Sequence, residues 1–103
     1  MSFISASSAN TVDHEQIVIV GRAVQLVNDY HDIEYETRND HQNKKANELR
    51  LQALAKELEI IGETAAFFGG YRAMLELNHA IIEAGGHSAT LNEMWWGICG
   101  WAP

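Results

Sequence analysis

The chain has 103 residues, 47% of them hydrophobic and 20% charged, with a net charge of −7 and one cysteine. That length allows one domain at most. The lone Cys99 excludes an internal disulfide, and no apolar run approaches the ~20 residues of a membrane span. These features predict a cytoplasmic protein with no membrane contact.

The charge is unevenly spread. Residues 1–36 carry −5, residues 37–56 carry +3 and residues 57–103 carry −5. Acidic ends repel phosphate, so general affinity for nucleic acid is not expected.

Residues 1–12 are small and polar at their start and predict a flexible N-terminal arm ahead of a single helical domain over 13–103. Asp13 and Gln16 have capping-box spacing, which would open a first helix near His14. Two apolar rows follow, Ile17, Val20, Val24, Val27 and Ile19, Ala23, Leu26, Tyr30, Ile33. The run Ile17 to Val20 is β-branched and would suit a strand, but no other segment offers a strand to pair with it.

Between Thr37 and Asn47 only Ala46 is apolar, so this stretch is a turn or an exposed extension. Asn39 and Gln42 suggest a second capping box, with a helix from about Asp40. That helix carries the clearest pattern of the chain: Leu51, Leu54, Leu58, Ile61, Ala65 and Phe68, spaced three, four, three, four, three. Heptad spacing of this kind keeps one side of a helix facing a partner.

Gly69-Gly70 marks a break or kink, since glycine costs a helix roughly 1 kcal/mol relative to alanine. A third helix is predicted from Tyr71 to Ala84, ended by Gly85-Gly86. Thr90 and Glu93 suggest a last capping box, opening a fourth helix at Leu91 with Met94, Trp95, Ile98 and Cys99 on its apolar side. Cys99 then reads as a buried structural thiol.

The expected fold is therefore all-α: a hairpin of two long antiparallel helices plus two shorter C-terminal helices, completing a bundle as a homodimer. In type it resembles the small acidic accessory proteins that phages encode, though no motif carries that likeness.

The first functional expectation is a non-enzymatic helical protein-binding module, accessory or inhibitory, with itself and another protein as partners. Trp95, Trp96 and Trp101 are the candidate contact residues, because tryptophan is enriched at binding hot spots. Packing within the fold is the competing use of the same rings. An acidic helical face toward a basic partner is a second candidate surface.

Two alternatives come from other classes. A Mg²⁺-dependent nucleotide hydrolase would need carboxylates shared across a dimer, with Asp29, Asp32, Glu59 and Glu63 as ligands. The spacing of all-α pyrophosphatases is not met, and no catalytic residue, resident metal or cofactor is expected. Nucleic-acid binding would use the basic segment 38–56, with Arg38, Lys44, Lys45, Arg50 and Lys56, but this segment has no aromatic residue for base stacking. Glu76-x-x-His79 has dinuclear-site spacing, yet it lies on a polar stripe with Arg72 and Glu83.

Overall fold

A computed structural model describes residues 6–39 and 42–102, with side chains from Gln16 onward. Helix α1 spans Ala6–Asn39, α2 spans Lys44–Glu83 and α3 spans Ser88–Trp95, followed by a short 3-10 turn at Ile98–Gly100. No strand occurs among the described residues. The β-branched run Ile17 to Val20 is helical, in keeping with the apolar rows that extend beyond it. No described helix is long and apolar enough to cross a membrane.

Two helix starts differ from the sequence reading. α1 is already under way at Ala6, so Asp13 sits inside it rather than opening it. α2 begins at Lys44, and Asp40 lies outside the described residues. Asn39 ends α1 instead of capping α2: its Nδ2 donates to the Tyr35 carbonyl at 2.9 Å.

A two-pronged, half-exposed ion pair joins α1 to α2. Arg22 Nε and Nη2 donate to the two Glu57 carboxylate oxygens at 2.9 and 3.0 Å. The carboxylate holds the guanidinium above its ordinary pKa, chiefly through these hydrogen bonds.

α2 is bent at Gly70, which has φ 68° and ψ −161°. Only glycine adopts that backbone without strain. The residues beyond it return alongside the first arm. Their end meets the middle of α1, where Asn28 Nδ2 donates to the Gly85 carbonyl at 3.1 Å and the His87 amide donates to Asn28 Oδ1 at 3.1 Å. The break at Gly69-Gly70 is thus a reversal within α2, and three helical rods lie side by side.

Between the rods lies one core: Ala23, Leu26 and Val27 from α1, Leu58, Met74 and Ile81 from α2, and Leu91, Trp95 and Trp101 from the C-terminal segment. α3 opens three residues earlier than the Thr90 box implies. His87 takes the N-cap position, its Nδ1 accepting from the Thr90 amide at 3.3 Å and lying 2.8 Å from Thr90 Oγ1. The His87 ring stacks on His31 of α1, with centroids 3.8 Å apart.

Cys99 is exposed, with φ 51°, which corrects its reading as a buried thiol. α3 ends at Trp95 and the chain leaves helical geometry at Trp96 and Gly97, so Cys99 never joins an apolar helix face.

Candidate functional site

The tryptophans divide by burial. Trp95 is fully buried and its Nε1 donates to the Leu58 carbonyl at 3.0 Å. That carbonyl lies within the α2 ladder, so the bond pins α3 to the middle of α2. Trp101 is also buried and packs edge-to-face on Trp95, with centroids 5.4 Å apart. Its Nε1 donates to Asn92 Oδ1 at 3.1 Å.

A tight loop delivers Trp101 to that place. The Gly97 amide donates to the Trp101 carbonyl at 2.9 Å, and the Trp101 amide donates to the Ile98 carbonyl at 2.8 Å. Trp96 alone keeps its ring outward, at 64% exposure. Of the three candidate contact residues, only Trp96 is placed to meet another molecule.

The heptad seam also divides. Leu58 is buried, Leu54, Ile61 and Ala65 pack against the core, and Leu51 is half-buried. Phe68, at the end of the seam, is 80% exposed, and its neighbour Phe67 is 83% exposed. The two rings meet edge-to-face with centroids 5.1 Å apart.

These phenylalanines stand beside an apolar groove of about 660 Å³. One wall is Ile19 and Val20 of α1, another is Ile60, Ala65 and Phe68 before the bend, and the third is Leu77 after it. Ile60, Thr64 and Phe67 follow at four- and three-residue steps, which puts Phe67 on the same face of α2 as two lining residues. Ile17, three residues before the lining residue Val20, is also exposed. Phe67 was passed over in the sequence because it falls out of the heptad register. The Phe-Phe pair directly before Gly-Gly was the available signal.

The carboxylates of the hydrolase alternative do not gather within one chain. Arg22 opposite Glu57 sets Asp29 and Asp32 toward the interhelical turn, while Glu59 and Glu63 lie toward the bend. Glu59 instead accepts from Lys56 Nζ at 3.0 Å. Among the described residues no group of three His, Cys, Asp or Glu side chains is placed to hold a metal ion. Glu76 and His79 are exposed on the polar stripe with Arg72 and Glu83.

The basic residues Arg38, Lys44, Lys45, Arg50 and Lys56 are all exposed, the first three at the interhelical turn and Lys56 well along α2 beside Glu57. Two are engaged: Arg38 lies 3.7 Å from Glu34, and Lys56 pairs with Glu59.

No family model, curated protein or solved structure matches this chain.

Proposed function

We propose that this protein is a non-enzymatic helical interaction module, and that it works by docking its apolar groove and the flanking Phe67 and Phe68 against another protein surface. The observation that carries this reading is the exposure of Phe68 in the lining of an apolar recess, with exposed Phe67 next to it in the helix. Isolated exposed apolar residues are ordinary, whereas a contiguous patch on a small acidic domain marks a contact surface. Aromatic residues, phenylalanine included, are also enriched at the buried centre of such surfaces. Trp96 is a satellite contact at the α3 end.

The test is photo-crosslinking in cells with a benzophenone amino acid placed at position 67, and at Glu48 as an exposed control. A discrete protein adduct from position 67, absent from position 48, supports docking through this face. No adduct from position 67 overturns it.

A further inference from the structure

We infer that the occupant of the groove is a second copy of this chain, related by a two-fold axis that passes through the Phe67-Phe68 face. This rests on the docking reading above and names its partner. A two-fold interface is built from one patch meeting itself, so that patch must carry both the projection and the recess that receives it. This face has both: Phe67 and Phe68 project, and the groove between Ile19, Ile60 and Leu77 lies directly beside them.

Area points the same way. Ile17, Ile19, Ile60, Phe67 and Phe68 together expose on the order of 700 Å², close to the ~800 Å² per partner of a standard stable interface.

The groove lining is nearly uncharged, so apolar burial rather than charge drives docking there. The groove lining carries one ionisable side chain, Glu76, and otherwise only Gln16 and Thr64 among polar groups. Exposed Glu63 stands nearby on α2. Two copies bring these carboxylates toward each other, so screening by salt strengthens the pair, whereas salt would weaken attachment to a basic surface.

Sedimentation velocity on the full chain tests this, with Phe67→Asp, the double variant Phe67→Asp/Phe68→Asp, and Ile60→Glu in parallel. The wild type is expected at twice 11.5 kDa and to hold or tighten as salt rises. Each variant should dissociate roughly thirtyfold or more readily, the loss typical of a hot-spot residue. Circular dichroism should stay unchanged, because the substituted side chains are exposed. A wild type that is monomeric throughout, or variants that remain dimeric, overturns the inference. A monomer whose groove brightens anilinonaphthalene sulfonate in a Phe67-dependent way leaves the docking reading standing with a foreign partner. A monomer without that signal removes both.

Discussion

The indole of Trp95 lies directly against the backbone of Gly62: a Cβ at residue 62 would sit 2.6 Å from Nε1 and 2.8 Å from Cδ1. The same Nε1 donates to Leu58 one turn earlier. Gly62 therefore provides the opening through which α3 reaches the α2 backbone.

Gly62→Ala pits two effects against each other. Helix propensity favours alanine by roughly 1 kcal/mol. Overpacking a rigid buried ring costs about 1–3 kcal/mol and also displaces the Leu58 bond. The steric term is the larger, because the fully buried indole has no free space to yield into. Thermal unfolding should show a melting temperature lower by several degrees, with red-shifted tryptophan emission.

The three tryptophans should respond differently to truncation. Trp101→Ala removes a buried ring and its bond to Asn92, for a loss of about 3–5 kcal/mol. Trp96→Ala removes an exposed ring and should change stability by no more than about 0.5 kcal/mol. Denaturant titration of both variants checks the split.

Asn78 is buried in the second arm of α2, and its Nδ2 has no hydrogen-bond partner among the described residues. An unmade buried hydrogen bond costs ~1–3 kcal/mol. Asn78→Leu should therefore raise the melting temperature, and a clear fall would mean that this amide is satisfied.

Burial raises the pKa of Tyr30 above its ordinary 10.0, with Glu34 and Glu93 adding to the effect. The folded state thus disfavours the phenolate more than the unfolded chain does. The neutral phenol is fully accommodated below pH 10, and stability is lost as pH climbs through the raised folded value. Tyr30→Phe should flatten this part of the alkaline decline relative to wild type, measured as melting temperature against pH.

Much of the fold was legible because periodicity reports packing directly. Leu54, Leu58, Ile61 and Ala65 face the core as their spacing implies, and the break or kink expected at Gly69-Gly70 lies at Gly70. Phe68 shows where the pattern ceases to inform. The heptad continues to the bend, but beyond Ala65 no neighbouring rod covers it. Trp101 was unreadable for another reason: only the closed loop from Gly97 turns it inward, and no helical spacing encodes that loop. His87 was missed because imidazole is not among the usual capping side chains. Gly62 did leave a trace, since a glycine inside a strong helical seam is unfavourable unless another group must come close.

The interaction face is tested most directly by hydrogen–deuterium exchange of the purified chain across a wide concentration range. Amides of residues 16–20 and 60–68 should become more protected as concentration rises, while the basic segment from Lys44 to Lys56 stays unchanged. Exchange independent of concentration, or protection that appears only in the basic segment, would contradict self-docking through Phe67 and Phe68.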